Sequence, residues 1–278
     1  MIGIDTTFEN TNLPITSILN GEKTKYVHDI YCLINQIVNV IFIRNNENWV
    51  LVDAGIPDSA EMIIEFAKEN FGEETKPAAI ILTHAHFDHV GSLSNILKIW
   101  DVPVYAHYLE IPYLSGKADY PEGDPTVDGG LISELSPLFP NHGINLDGKV
   151  NPLPTDGTIP ELQGWRWIHT PGHTPGHISL FRDKDNSLIA GDAFLTVKQE
   201  SLYKVVTQKQ EISGPPKYFT TDWDAARESV KMLFQLAPAF AVTGHGVPMH
   251  GEILRQELKI LVEDFDEIAI PKKGKFVN

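Results

Sequence analysis

Cysteine is nearly absent from this chain: Cys32 is the single cysteine among 278 residues, so no disulfide can form within it and nothing demands an oxidising compartment. Basic residues are also scarce. The 22 lysines and arginines stand against 37 aspartates and glutamates, and the resulting net charge of −15 argues against nucleic acid or an anionic membrane as the main partner. No apolar run reaches the roughly 18 residues of a membrane-spanning helix, and the first residues show no leader pattern. These features predict a cytoplasmic protein.

The composition is otherwise that of a globular protein, with 42% hydrophobic and 21% charged residues. Runs rich in β-branched residues alternate with segments whose apolar residues recur at helical spacing. Strands are predicted at 30–35, 38–44, 49–53, 78–83, 102–106, 165–169, 178–181, 187–190 and 239–243, and helices near 62–67, 92–100, 221–234 and 252–268. A capping box of Thr221 and Asp224 is predicted to open the third helix. The alternation predicts an α/β fold, and the even composition predicts a single domain over residues 1–278.

Residues 110–160, called here the excursion, are dense in proline, glycine and aspartate. One short helix is predicted within the excursion, near residues 131–138. Its apolar side chains fall on one face: Leu131, Ile132, Leu135, Leu138 and Phe139. Because such a face must pack on something, the excursion is predicted to form one wall of a substrate pocket, with a subunit contact in a homodimer as the alternative.

Metal-binding chemistry is indicated by the segment from Thr83 to His89, which reads His84-x-His86-x-Asp88-His89. The segment follows the apolar run 78–83 and precedes a predicted helix, so it lies at the carboxyl end of a strand, where α/β proteins bind ligands. Imidazole and carboxylate together suit zinc, iron or manganese. The motif therefore predicts a metal site at this strand end.

Three further strand ends repeat the same design. His173, Asp192 and His245 each come shortly after a predicted strand, and each has a glycine beside it that permits close backbone approach. His177 also follows His173 by four positions. We interpret His177 as a histidine at the start of a strand with a backbone partner, and a role in supporting the metal site is the alternative.

The order of these motifs resembles that of the metallo-β-lactamase superfamily, whose fold is an αβ/βα four-layer sandwich. The resemblance runs from Asp53-Ala-Gly55 to His245 and so covers nearly the whole chain. It implies a dinuclear metal centre, whose ligands are His84, His86 and His173 for one ion, Asp88, His89 and His245 for the other, and Asp192 as the bridge. The glyoxalase II-like and lactonase-like branches are the most similar. However, the chain has Leu195 where lactonases carry a tyrosine, and residues 252–278 lack the basic glutathione-binding motif of glyoxalase II.

The resemblance implies a hydrolase in which a hydroxide that bridges two metal ions attacks a carbonyl-type substrate, an ester, lactone or thioester. Asp88 would orient this hydroxide and accept its proton. Zinc is the favoured metal, and iron and manganese are the alternatives. Two other functions stay open: a mononuclear-iron thiol or persulfide dioxygenase on the same fold, and a metal-binding module without catalysis, which would not need Asp88 beside the ligands. The expected partner is a small-molecule substrate, without nucleic acid or membrane.

Overall fold

The computed structural model describes residues 15–277, except residues 28, 129 and 147 and the side chain of Tyr26. Within these bounds the chain forms two compact units. The first consists of the residues up to Tyr120 together with Asn141–Gln163, and the second of Pro121–Pro140 together with the residues from Gly164 onward. Each unit contains one β-sheet and several helices, which confirms the predicted α/β class.

The first unit is built on a seven-stranded mixed sheet. Its elements are β1 (Lys23–Val27), β2 (Ile30–Asn35), β3 (Val38–Asn45), β4 (Asn48–Val52), α1 (Ala60–Phe71), β5 (Ala79–Ile81), α2 (Phe87–Val90), α3 (Leu93–Ile99), β6 (Val104–Ala106), α4 (Ile111–Leu114) and β7 (Val150–Pro152). The strands lie side by side in chain order, antiparallel from β1 to β4 and parallel from β4 to β7. Because β4 and β5 are parallel neighbours, the turns that follow them meet at one edge of the sheet.

The interior of the first unit explains the continuous apolar runs in the sequence. Residues 50–52 of β4 and 79–81 of β5 are fully buried, as expected for strands that are covered on both faces. The helix α1 contributes Phe66, whose ring centroid lies 4.6 Å from that of Phe42 in β3. Trp49 and Phe71 stack nearby at 4.7 Å. This aromatic cluster fixes α1 on the sheet and thereby fixes the turn that leads from β4 into α1.

The second unit is built on a five-stranded sheet with the order β12-β11-β10-β9-β8. Its elements are α5 (Leu131–Leu135), β8 (Arg166–His169), β9 (Ile178–Arg182), β10 (Ser187–Gly191), α6 (Leu202–Thr207), α7 (Trp223–Gln235), β11 (Phe240–Thr243), β12 (Met249–His250), α8 (Gly251–Glu263) and α9 (Phe265–Ile268). The pair β10 and β11 is parallel and the other pairs are antiparallel. Two ligand-type residues, Asp192 and His245, therefore follow neighbouring parallel strands.

The helices of the second unit differ from the sequence prediction at their ends. Asp222, and not Thr221, caps α7, since its side chain accepts a hydrogen bond from the backbone N–H of Ala225 at 2.9 Å. The predicted closing helix 252–268 is divided into α8 and α9 at Asp264. Among the helices of residues 15–277 that the structure describes, none is long and apolar enough to cross a membrane.

The excursion contains more regular structure than its composition predicts. A short helix is present, α5, and a 3-10 turn at Ser136–Leu138 continues it. Of its predicted apolar face, Ile132 is buried, whereas Leu131 and Leu138 are 49% and 77% exposed. Phe139 lies near Tyr218 and Phe219, with ring centroids about 6 Å apart. The later part of the excursion supplies β7, an edge strand that the sequence prediction missed.

Candidate metal centre

The turn after β5 and the short helix α2 carry the predicted ligands of the first unit. His84 lies in the turn, His86 immediately precedes α2, and Asp88 and His89 lie within α2, ahead of the helix predicted at 92–100. All four side chains are buried; Asp88 is the most exposed of them, at 8%. The ring centroid of His84 lies 4.8 Å from that of His86 and 4.2 Å from that of His89. A ligand oxygen of Asp88 and a ring nitrogen of His89 lie within 4.8 Å of each other.

Asp53, at the end of β4, holds this turn in place. Its Oδ1 accepts a hydrogen bond from the backbone N–H of Thr83 at 2.8 Å, and its Oδ2 accepts one from the Thr83 hydroxyl at 2.8 Å. Oδ2 also lies 2.8 Å from Nδ1 of His89. Asp53 is fully buried and adopts a φ of 61°. The sequence resemblance began at this residue, yet it assigned Asp53 no function.

These contacts determine which nitrogen of each histidine can bind a metal. The carboxylate of Asp53 only accepts, so Nδ1 of His89 carries the proton and Nε2 keeps its lone pair. The Thr83 hydroxyl donates to Asp53, and its oxygen therefore accepts from Nδ1 of His84 at 3.0 Å. His84 and His89 consequently both present Nε2 as a donor atom to a cation.

A second buried carboxylate, Glu110, supports the turn from the side of α4. The backbone N–H of Ala85, between His84 and His86, donates to Glu110 Oε2 at 3.0 Å. The hydroxyl of Tyr120 donates to the same oxygen in a short hydrogen bond. Burial, followed by the charge of Glu110, raises the pKa of Tyr120 well above its usual value of 10.0, so the phenol stays a neutral donor. Neither Glu110 nor Tyr120 was among the site residues predicted from the sequence.

The second unit brings its predicted ligands together around Asp192, directly after β10. Asp192 Oδ2 lies 3.6 Å from Nε2 of His173 and 3.4 Å from Nε2 of His245. All three side chains are at most 2% exposed. Gly172, before His173, has a φ of 132°, and a Cβ there would lie 2.4 Å from the backbone nitrogen of Ala226. Only glycine therefore allows the loop to approach α7 this closely.

His173 is oriented in the same way as the histidines of the first unit. Its Nδ1 lies 3.3 Å from the hydroxyl oxygen of Thr220, which donates its own proton to the carbonyl of Pro216 at 2.8 Å. The Thr220 oxygen therefore accepts from Nδ1 of His173, and Nε2 faces Asp192 as an acceptor. Two acceptors 3.6 Å apart in a buried position are an arrangement that a cation stabilises.

His177 supports Asp192 and has no free ring nitrogen for a metal. The backbone N–H of Asp192 donates to Nε2 of His177 at 2.8 Å, and Nδ1 of His177 donates to the carbonyl of Thr170 at 3.0 Å. The prediction of a backbone partner for His177 is therefore confirmed, and its ring additionally fixes the start of the Asp192 turn.

The donor sets of both units fit a divalent transition metal. The first unit offers three imidazoles with the carboxylate of Asp88, and the second offers two imidazoles with the carboxylate of Asp192. Nitrogen and oxygen donors of this kind suit zinc, iron and manganese. Buried carboxylates next to Nε2 lone pairs are costly unless a positive charge lies among them.

Comparisons with known proteins agree with this chemistry. A family model described as the metallo-beta-lactamase superfamily matches residues 34–245. The probable metallo-hydrolase YflN of Bacillus subtilis (strain 168) is 49% identical over 259 residues, which cover 92% of this chain and 98% of that protein. Among solved structures, TTHA1623 in a di-iron-bound form is 26% identical, with a TM-score of 0.54, and covers 77% of this chain and 89% of its own. The BLEG-1 B3 metallo-beta-lactamase is also 26% identical, with a TM-score of 0.55 and coverage of 79% and 90%.

The family match includes every predicted ligand position and extends through both units. The αβ/βα sandwich predicted from the sequence is therefore the correct fold class, and this chain belongs to the metallo-β-lactamase superfamily.

Proposed function

We propose that this chain is a dinuclear metal-dependent hydrolase that acts on the carbonyl group of a small-molecule ester, lactone or thioester. The observation that carries the proposal is the common orientation of His84, His89 and His173, whose Nδ1 atoms are each held by an oxygen acceptor. Such support fixes the ring for coordination through Nε2 and is typical of metal sites. Membership of the superfamily and the similarity to a probable metallo-hydrolase support the same function.

The ligand assignment follows the family pattern. We assign His84, His86 and His173 to one ion, Asp88, His89 and His245 to the other, and Asp192 to both. Because each unit is assembled from separate stretches of the chain, we propose that residues 1–278 function as a single domain.

Zinc is the metal that we propose, because imidazoles outnumber carboxylates in the donor set. Iron is the main alternative, and one similar solved structure is a di-iron-bound form. Bound divalent ions would supply Lewis acidity, which makes water a nucleophile near neutral pH and polarises a carbonyl.

The chain's own residues would do the remaining work. Asp88 is buried beside His89 and has a carboxylate that can orient the attacking water and accept its proton. Asp53, Thr83 and Thr220 hold the imidazoles. The excursion, with its exposed Leu131 and Leu138, is the part of the chain that we expect to set substrate selectivity.

The test combines metal analysis with a substrate panel. The purified protein, reconstituted separately with zinc, iron and manganese, is assayed on lactones, thioesters and phosphodiesters. We expect close to two ions per chain, hydrolysis within one carbonyl class, and loss of that activity on chelation with recovery on adding the metal.

His173→Ala, which removes a proposed ligand, is compared with His250→Ala, which removes an exposed histidine. The ligand variant should lose metal and activity, and the control should keep both. A stoichiometry of one ion after reconstitution with excess metal would contradict the dinuclear centre. Cleavage of phosphodiesters alone would contradict the carbonyl substrate.

A further inference from the structure

Gln199 lies beside His245, on the segment that connects β10 with α6. Its side chain is 2% exposed, and its amide nitrogen lies 3.4 Å from Nδ1 of His245. Thr196, on the same segment, donates its hydroxyl to the backbone carbonyl of His245 at 3.3 Å. Thr243 donates to this carbonyl at 2.6 Å. The backbone of His245 is therefore fixed by two threonines, while its ring is contacted by a glutamine amide.

This contact distinguishes His245 from the other oriented histidines. An amide nitrogen can only donate, so in this orientation of the amide Nδ1 of His245 accepts, and a ring with a single proton then carries it on Nε2. That Nε2 faces Oδ2 of Asp192 at 3.4 Å. By contrast, the hydroxyl and carboxylate oxygens beside His84, His89 and His173 hold the proton on Nδ1. The proton on Nε2 of His245 must leave before that nitrogen can bind a metal.

The Gln199 amide is suited to allow this change. Its Oε1 has no hydrogen-bond partner among the residues that the structure describes. Rotation of the amide by 180° therefore breaks no contact of Oε1, and it exchanges the donor for an acceptor at Nδ1. The oxygen then accepts from Nδ1–H, and Nε2 presents its lone pair.

We propose that Gln199 is a positioning residue that lets His245 change tautomer when a metal binds, and that His245 therefore belongs to the weaker and more readily exchanged metal position. The inference rests on the proposed dinuclear function. Metal binding at the position that includes His245 requires a proton to move from Nε2 to Nδ1 and the amide to rotate. Both changes cost free energy and lower the affinity for the metal. In the position assigned to His84, His86 and His173, the rings of His84 and His173 are oriented by oxygen acceptors before any metal arrives, so these two histidines add no such cost.

The experiment reads the tautomer directly. Long-range ¹H–¹⁵N correlation spectra of the full-length, ¹⁵N-labelled protein are recorded at alkaline pH, before and after zinc addition to chelator-treated protein. The His245 signals are assigned with His245→Gln. We expect the Nε2-protonated pattern without zinc and the Nδ1-protonated pattern with zinc. An Nδ1-protonated ring in the metal-free wild type would overturn the proposal.

Two variants make the role of the amide testable. In Gln199→Glu a carboxylate replaces the amide, so His245 should be Nδ1-protonated already without zinc, and the weaker zinc equivalent should bind about tenfold more tightly. In Gln199→Met both donor and acceptor are lost, so the metal-free tautomer should stay Nε2-protonated and the weaker equivalent should bind about tenfold less tightly. An unchanged tautomer in Gln199→Glu contradicts the proposal. If the Glu variant does not fold, an unchanged affinity for the weaker zinc equivalent in Gln199→Met contradicts it.

Gln208→Glu is the matched control. Gln208 is likewise a buried glutamine of the second unit whose Oε1 has no partner among the described residues, but its amide donates to the carbonyl of Val205 and not to a histidine. Its substitution adds the same charge and should leave both the His245 tautomer and the stepwise zinc affinities unchanged. Uptake of a single zinc ion by the wild type would contradict the dinuclear function, whereas the tautomer in metal-free protein tests Gln199 independently.

Discussion

The ring of Tyr120 lies against the ring of His86, with 4.4 Å between their centroids, while its hydroxyl donates to Glu110. Tyr113 in turn stacks on Tyr120 at 3.9 Å. A predicted metal ligand is therefore held by an aromatic stack that begins in α4. The first eleven residues of the excursion, 110–120, thus contribute to the orientation of the ligand turn.

Removing the Tyr120 ring should weaken metal binding more than removing its hydroxyl. Tyr120→Phe loses the hydrogen bond that the hydroxyl donates to Glu110 and the one that it accepts from the backbone N–H of Ala85 at 3.2 Å. This loss should lower the free energy of unfolding by roughly 1–3 kcal/mol with little change in metal affinity. Tyr120→Leu also loses the stack on His86, and its metal affinity should fall further. Competition with a chromophoric chelator measures the affinity, and thermal unfolding measures the stability. Equal metal affinities in the two variants would show that the stack does not orient His86.

Asp53→Asn should reduce metal affinity by about 10- to 100-fold, because an amide cannot accept from His89 and from both donors of Thr83 at once. Asn tolerates the positive φ of this position, so the backbone is not the cause of the loss. Asp58→Asn is a matched control, since Asp58 also has a positive φ, of 62°, but is exposed. Chelator competition should show no change in the control. An equal loss in both variants would indicate a general effect on the segment between β4 and α1.

Asp88→Asn should lower kcat by about 10²- to 10⁴-fold while much of the metal stays bound. The amide oxygen still ligates weakly, but it cannot take the proton from water. Steady-state kinetics and elemental analysis on the same sample separate the two effects. The exposed Asp101, changed to Asn, controls for the loss of one charge in the first unit. Near-wild-type turnover in Asp88→Asn would make Asp88 a ligand only.

The excursion should control selectivity through its outward-facing apolar side chains. Leu138 is 77% exposed, and Leu135 is half-buried. Changing both to Ser should alter KM among substrates of different acyl size and leave metal content intact. Ile132→Ser, at a position 1% exposed, should instead lower the free energy of unfolding, by about 2 kcal/mol or more. Unchanged selectivity together with loss of a dimer on sizing would assign the leucines to assembly.

Glu200 should make stability depend on pH. Burial raises the pKa of this carboxyl above its usual value of 4.5, against the opposing hydrogen bond from the backbone N–H of Lys217. The folded state therefore binds the proton more tightly than the unfolded state, and protonation of Glu200 stabilises the fold at low pH. This stabilisation is lost as the pH rises through the folded-state pKa of Glu200. Glu200→Gln imitates the protonated form. Its Tm should exceed that of the wild type at pH 7, with a difference that shrinks toward pH 4, and Glu122→Gln, at an exposed site, should show no such trend.

The places of the candidate ligands in the fold were predictable because each group follows a strand in the sequence. Residues 79–83 of the predicted run are buried in the structure, and they lead from β5 directly to His84. The Asp192 and His245 positions were predictable for the same reason, since β10 and β11 are short apolar strands that end next to glycine.

The residues that orient the ligands were not predictable in this way. Asp53 and Gln199 act on histidines that are 36 and 46 positions away in the chain, and no local pattern encodes such a pairing. The strand β7 was missed because Val150–Pro152 is short and ends in proline, which is tolerated at a sheet edge. At α7, Thr221 and Asp222 are both good capping residues, so the sequence alone could not decide between them.

The enclosed position of Cys32 in β2 has a practical use. Its side chain is 1% exposed and burial raises the pKa of its thiol, so maleimides and other thiol reagents should not modify the folded wild-type protein. A cysteine introduced by Leu138→Cys, at a largely exposed position, would then be the single reactive thiol. A fluorophore or spin label could be attached to the excursion in this way, without first removing the native cysteine, and its movement followed during substrate binding.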